Sequence, residues 1–470
     1  MHVAFLNPQG NFDAHNAYLT EHPDFGGQLI YVRELALAMA SMGVRVDVLT
    51  RQIVDPAWPE FSAAEDDFGE AADRVRIIRL PFGGPKFLPK EALWPVLPDY
   101  VAAIQEHYGD TLPDYFTAHY ADGGYAAALL RARTGLGFTF TGHSLGAQKM
   151  DKLKARKDNY QALEARFHFA KRIEAERLAM NLADRVITST TAEATEQYAH
   201  PLYADAAPPQ LSGYDVVPPG INGRIFHPAP NRDPSASTPV VVGDFDRPQV
   251  IVASRLDAKK NIAAVVEAFA TSPDLAARAG LVICTRGMDD PWAELEQLNA
   301  EERGVLAPIL QRIESAGLRA SVRFLNIGSQ QALASTYRGL ASLDSVFALP
   351  SLVEPFGLAP IEAAACGLAI AATKNGGPSE VFGKGGGVLF DPEDPVDIAR
   401  QLMIALERAP TLRAQAIETI VPNYTWEQTA DHYLAIIRRG LTRKRASIEE
   451  PLTLDAGPRI REWLGVESAD

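Results

Sequence analysis

Ser351-Leu-Val-Glu354-Pro-Phe-Gly357-Leu-Ala-Pro360-Ile-Glu362 decides the fold of the C-terminal half. The stretch follows an apolar run, Val346–Leu349, places a glycine in a short loop, and then becomes alanine-rich. Pro360 stands where a helix tolerates proline, in its first turn. The spacing predicts a strand, a loop and a helix starting around Ala359. Free backbone N–H groups at such a helix start attract anions. Glu354 lies in the loop and Glu362 inside the helix. Two carboxylates flanking a phosphate-friendly turn suit a ligand with phosphates in its middle and hydroxyls at both ends, which describes a sugar nucleotide. A strand–loop–helix turn with a capping acid is the plainer and weaker reading of the whole segment.

The pattern repeats on both sides of that stretch. Val250-Ile-Val-Ala253 opens a series of short apolar runs that continues through Leu281–Thr285, Val322–Leu325, Val346–Leu349 and Ala369–Ala372. Strands alternating with helices give a parallel sheet covered on both faces. Ala253-Ser-Arg255-Leu-Asp257-Ala-Lys-Lys260-Asn261 joins another strand to a helix. Arg255 and Lys260 sit there as cations able to neutralise a departing diphosphate. Lysines at a helix start are common, so this segment takes its meaning from its combination with the Glu354 segment. Asn375-Gly-Gly-Pro378 is one more strand-end turn, which reads equally well as a turn alone.

The N-terminal half alternates in the same way. Val3–Leu6 reads as a strand, and Gln28–Met42 as a helix with Leu29, Val32, Leu35, Ala36 and Met39 on one face. Strands are expected at Val44–Leu49, Val75–Leu80, Phe138–Thr141 and Arg185–Thr188, with a polar helix within Asn159–Leu182. Residues 228–248 hold five prolines among Asn, Asp, Ser and Gly, which is linker composition. Trp426–Ile437 reads as a closing helix, and the tail from Ser447 is weakly patterned. The expected architecture is α/β, with two Rossmann-like domains facing a cleft. They span residues 1–217 and 218–425, with 426–470 a helix and tail packing back on the first. The Pro218–Gly220 segment is the expected hinge for closure.

Asp24-Phe-Gly26-Gly27-Gln28 precedes the first helix, where two glycines let a ligand approach the backbone closely. It is not a G-x-G-x-x-G fingerprint, which disfavours a dinucleotide oxidoreductase. Lys149–Arg177 carries nine Lys/Arg against five Asp/Glu. Lys149, Arg172 and the more distant Lys90 are candidates for gripping a phosphate other than the nucleotide's, although a solvated helix face accounts for any single lysine. Gly142-His-Ser144-Leu-Gly146 matches a nucleophile elbow. The charged Gln148–Lys152 that follows argues against a serine hydrolase using Ser144. Asp244-Phe-Asp246 imitates a metal-holding D-x-D but lies in the linker, where an exposed turn is the expectation.

Composition narrows the classes further. The 470 residues are 47% hydrophobic and 22% charged, with mean hydropathy −0.09, so the whole chain is not disordered. No run reaches the roughly 18 apolar residues of a membrane span. The first residues do not read as a signal peptide, and a cytoplasmic location is expected. Two cysteines, Cys284 and Cys366, sit in apolar sequence, which excludes a disulfide framework or zinc site. A net charge of −14 makes nucleic acid an improbable partner.

The Glu354–Glu362 pair, Ser254-Arg-Leu-Asp257 and Lys260-Asn261 resemble retaining glycosyltransferases of the GT-B fold. Asn7-Pro-Gln-Gly-Asn11, His22-Pro-Asp-Phe-Gly-Gly-Gln28, Pro81-Phe-Gly-Gly84, Phe87-Leu-Pro-Lys90 and Thr141–Lys149 are similar to the bacterial sucrose-phosphate synthases. That resemblance implies a hexosyltransferase of sucrose biosynthesis moving glucose from UDP- or ADP-glucose to fructose 6-phosphate. It implies no metal or other cofactor. It assigns Lys90, Lys149 and Arg172 to the acceptor phosphate, and Gly27 and Gln28 to the acceptor sugar, with Gly27 also near the donor. It assigns His143, Glu354, Phe356, Gly357 and Leu358 to the donor sugar, Arg255 and Lys260 to the diphosphate, and Glu362 to the ribose. Phe324-Leu-Asn-Ile-Gly328 and Val353 depart from the family pattern and leave UDP, ADP and GDP open as bases. A sucrose synthase-like or mannosyl-transferring activity is the neighbouring alternative. Without a phosphatase motif in the chain, a separate sugar-phosphate phosphatase is the expected partner.

Overall fold

The computed structural model describes residues 1–13, 24–69, 73–208, 213–229, 245–451 and 453–466. His22 and most of the proline-rich segment, including Asp244, lie outside the described residues. The chain forms two compact units, Met1–Pro218 with Trp426–Asp470, and Pro219–Thr425.

The first unit is built on an eight-stranded sheet in the order β3-β4-β2-β1-β5-β6-β7-β8. Its strands are β1 (His2–Leu6), β2 (Arg45–Arg51), β3 (Glu65–Asp66), β4 (Val75–Leu80), β5 (Tyr115–His119), β6 (Phe138–Thr141), β7 (Arg185–Thr188) and β8 (Tyr214–Val216). All neighbours are parallel except β3 on β4. Val3, Ala4, Phe5 and Leu6 are all fully buried, which is why this strand reads as a continuous apolar run instead of an alternating one. Helix Gly27–Ser41 covers one face, burying Leu29, Val32, Leu35, Ala36 and Met39 against Trp426, Ala430, Leu434 and Ile437 of helix Trp426–Leu441.

The second unit holds a six-stranded parallel sheet in the order β11-β10-β9-β12-β13-β14. These strands are β9 (Gln249–Ala253), β10 (Gly280–Thr285), β11 (Val322–Asn326), β12 (Val346–Leu349), β13 (Ala369–Thr373) and β14 (Val388–Phe390). Both sheets reverse strand order in their middle, between β1 and β5 and between β9 and β12. In doubly wound sheets, ligands bind beyond the strand C-termini at such switch points.

The structure corrects three expectations. Asn159–Leu182 contains two helices, Tyr160–Phe167 and Phe169–Leu182, broken by His168 at φ +50°. The tail carries a helix, Gly457–Leu464, with Ile460 fully buried in the first unit. Strand β5 and the helices on either side of it, Leu97–Tyr108 and Tyr120–Thr134, were not anticipated. No helix among the described residues is long and apolar enough to cross a membrane. Cys284 and Cys366 are buried free thiols.

Candidate functional site

In the second unit, the sequence-predicted segments gather at the switch-point edge. Ser254–Lys260 follows β9, Ser351–Gly357 follows β12, and Asn375–Gly377 follows β13. Backbone bonds stitch the three loops together. The N–H of Leu352 donates to Lys259 O at 2.9 Å, that of Glu354 to Asn375 O at 3.2 Å, and that of Gly377 to Glu354 O at 2.9 Å. Gly376 has φ +92°, and a Cβ there would lie 2.2 Å from the Glu354 carbonyl oxygen. Only glycine permits this crossing.

Lys260 Nζ donates to Glu354 Oε2 at 2.7 Å, and Ser351 Oγ donates to the same oxygen at 3.2 Å. Lys260 ends a short 3-10 turn, Ala258–Lys260, whose cap Asp257 accepts from the Lys259 N–H. Arg255 is exposed, and its guanidinium makes no hydrogen bond or ion pair among the described residues. Gly357, at φ +95°, caps helix Leu358–Ala365 without a side-chain acceptor, so the first-turn N–H groups stay available to an anion. Phe356 is buried against Tyr424. Glu362 sits half-buried on that helix, and burial pushes its carboxyl up to about 7.

In the first unit, residues converge near the β1–β5 switch point. Gln28 Nε2 donates to Asn7 Oδ1 at 2.6 Å, and Asn7 Nδ2 donates to Gln9 O at 2.6 Å. A Cβ at Gly26 or Gly27 would meet nothing within 4 Å, so packing does not demand glycine there. His143 takes φ +56° and its Nε2 lies 2.9 Å from His119 Nδ1, whose ring is held in turn by Thr117 Oγ1 at 2.9 Å. Burial pushes His143 down to about 3, so it acts as a neutral imidazole. The Ser144 N–H turns back to Gly142 O at 2.6 Å. Among the described residues, Ser144 Oγ makes no hydrogen bond to a histidine, the base a serine nucleophile needs.

Lys90, Lys149 and Arg172 come together. Lys90 and Arg172 line one small cavity with Glu91, Trp94, Tyr120, Asp122 and Phe167. Lys149 Nζ lies 3.9 Å from the Phe167 ring centroid and 4.0 Å from Glu91 Oε1. Burial, with Arg172 beside it, pushes Lys149 down to about 8. Lys90 is bonded through Nζ and N–H to Asp24. Arg172, 4% exposed, donates to Glu176 Oε1 at 3.0 Å and Ser144 O at 2.6 Å, with its guanidinium 4.6 Å from the Tyr120 ring centroid. Sequence reasoning missed these partners. Tyr120, held at φ +67°, is a strained non-glycine residue of the kind that clusters at functional sites. Asp24 and Ser144 stood inside motifs already noted, and Phe167 and Glu176 inside the basic run Lys149–Arg177. Among the described residues, no group of three or more His, Cys, Asp or Glu side chains is placed to hold a metal ion.

Residues 26–208 match the glycosyl transferase 4-like domain model and 241–420 the glycosyl transferases group 1 model. The chain is 42% identical to a probable sucrose-phosphate synthase of Thermosipho melanesiensis, over 93% of this chain and 97% of that protein. It belongs to the sucrose-phosphate synthase family of glycosyltransferases. The solved sucrose-phosphate synthase of Thermosynechococcus elongatus superposes with a TM-score of 0.66 at 25% identity, covering 93% of this chain and 98% of that one. The fold is therefore the two-domain GT-B architecture. Identity to the sucrose-phosphate synthase of Spinacia oleracea is 31% over 93% of this chain, and the chain spans about half, 47%, of that plant synthase's length.

Proposed function

We propose that this sucrose-phosphate synthase relative moves glucose from UDP- or ADP-glucose to fructose 6-phosphate, with retention and without a metal, giving sucrose 6-phosphate. The observation that carries the reading is the gathering of Lys90, Lys149 and Arg172, which suits an acceptor bearing a phosphate of its own. Glu354 and the backbone at Phe356–Leu358 would hold the glucose hydroxyls, Glu362 the ribose, and Gly27 and Gln28 the fructose. His143, as a neutral imidazole, would hydrogen-bond a hydroxyl without acting as an acid. As the bond from the anomeric carbon to the diphosphate breaks, negative charge grows on the leaving oxygen. Arg255 and Lys260 would stabilise it there, taking the place of a metal ion. The acceptor hydroxyl would bond to the anomeric carbon from the same face and give its proton to the leaving phosphate. Release of sucrose from that product then requires a phosphatase activity.

The test is nucleotide release from UDP-, ADP- and GDP-sugars, with fructose 6-phosphate, with fructose, or without acceptor, in the presence of EDTA. Release requiring fructose 6-phosphate and surviving EDTA supports the reading and names the base. Release with fructose alone, or none with any donor, overturns it.

A further inference from the structure

The cavity that gathers Lys90 and Arg172 has one more ionisable wall. Asp122, in the first turn of helix Tyr120–Thr134, is 2% exposed and lines that cavity. Its Oδ1 accepts from the Gly123 N–H at 2.8 Å. Its Oδ2 is buried and has no hydrogen-bond partner among the described residues. A buried polar atom left unpaired costs about 1–3 kcal/mol, and an unpaired charge costs more.

The groups facing Asp122 are mostly charged. Arg172 comes from helix Phe169–Leu182, Asp24 from the segment before helix Gly27–Ser41, and Lys90 and Glu91 from the turn Lys90–Ala92. Two tyrosines, Tyr120 on its own helix and Tyr100 on helix Leu97–Tyr108, complete the surroundings. Each cation already faces a carboxylate: Lys90 faces Asp24, Arg172 faces Glu176, and Lys149 faces Glu91. An ionised Asp122 would add a negative charge where an anionic acceptor must sit. The acid form adds none and turns the orphaned Oδ2 into a donor. Burial pushes the Asp122 carboxyl up to about 7, close to the working range.

We propose that Asp122 acts in its acid form, donating an O–H hydrogen bond to an oxygen of the bound sugar phosphate, so that acceptor and proton bind together. The inference rests on the acceptor assignment made above. It differs from a simple cation clamp in its linkage: affinity for the sugar phosphate falls as pH rises through the Asp122 range.

Calorimetric titration with fructose 6-phosphate at about pH 8, in two buffers of different ionisation enthalpy, counts the protons taken up. Lys149, pushed down to about 8, is the competing proton acceptor. Lys149→Arg keeps the charge and removes that titration. Uptake present in the wild type and in K149R but lost when Asp122→Asn is added to K149R is the expected result. The K149R affinity should also weaken up to roughly 10-fold per pH unit above about pH 7, while the double variant K149R/D122N stays nearly flat. Unchanged uptake in D122N overturns the inference and leaves the acceptor assignment standing. Absence of binding heat with fructose 6-phosphate, while nucleotide still binds, overturns the acceptor assignment and the inference with it. If D122N does not fold, K149R decides alone: binding without proton uptake overturns the inference, and uptake supports it.

Discussion

The two units present their charges in opposite ways. At the β9–β12 edge, backbone hydrogen bonds and a glycine crossing fix three loops while the cations stay lightly held. Arg255 has no partner among the described residues, and Lys260 meets Glu354 at a partly open position. Near the β1–β5 switch point, the cations are matched in advance, the buried Arg172 by Glu176 and the half-buried Lys90 by Asp24. A rigid frame with available cations suits charge that appears only in a transition state. A balanced, buried cluster suits a ligand that is charged from the start and must exchange with resident carboxylates.

That contrast is easiest to break at Arg172. Arg172→Ala strands Glu176 as a buried carboxylate and should cost about 3–5 kcal/mol of stability, measured by denaturant unfolding. In the folded fraction it should raise KM for fructose 6-phosphate far more than for fructose, and equal effects on the two acceptors would sink the clamp assignment. Lys260→Ala should lower turnover by roughly 10²–10³-fold with a much smaller change in donor affinity. Single-turnover rates set beside calorimetric binding separate the two, and a parallel loss of affinity would show that Lys260 acts on the ground state.

The pH response sharpens the comparison. Lys149, held down near 8 by burial, is charged below that value and neutral above it. KM for fructose 6-phosphate should therefore climb a further severalfold through about pH 8, and Lys149→Arg should remove that part of the rise and leave the part due to Asp122. Glu362 gives the smallest effect. Its folded carboxyl is raised to about 7, so it takes up a proton on folding between its unfolded value and that point. Stability from this group is present at low pH and is lost as pH rises through about 7. Glu362→Gln should then raise Tm by a few degrees at about pH 8 while weakening nucleotide binding. A Tm unchanged across the pH range would remove the burial argument.

The β9–β12 edge was legible because it is local in sequence. Each loop sits between an apolar run and a helix, and Glu354, Gly357 and Pro360 fall within one short segment. The buried strands were legible for the same reason, since Val346–Leu349 and Ala369–Thr373 are apolar almost throughout. Strand β5 was not, because Tyr-Phe-Thr-Ala-His mixes polar and apolar residues although every one of them is buried. Thr117 and His119 satisfy each other inside the sheet, a pairing that no periodicity announces. The cluster proposed for the acceptor phosphate draws on segments near residues 24, 90, 122, 149 and 172. Its cations stood out in the basic run Lys149–Arg177 and at the more distant Lys90, and its carboxylates needed the fold. The break at His168 and the helix at Gly457–Leu464 were likewise set by tertiary packing, which overrides weak local pattern.

The first unit is not continuous in the chain: its last segment, beginning at Trp426, follows the whole second unit. A ribosome therefore delivers residues 219–425 before the helix that covers Val32, Leu35 and Met39. Domains generally fold as units during synthesis. Here the later-made unit can close first, while the earlier one waits with an apolar face uncovered. Vectorial synthesis thus inverts the order of completion, and a ribosome stalled just before Trp426 would hold the interval in which this protein most needs a chaperone.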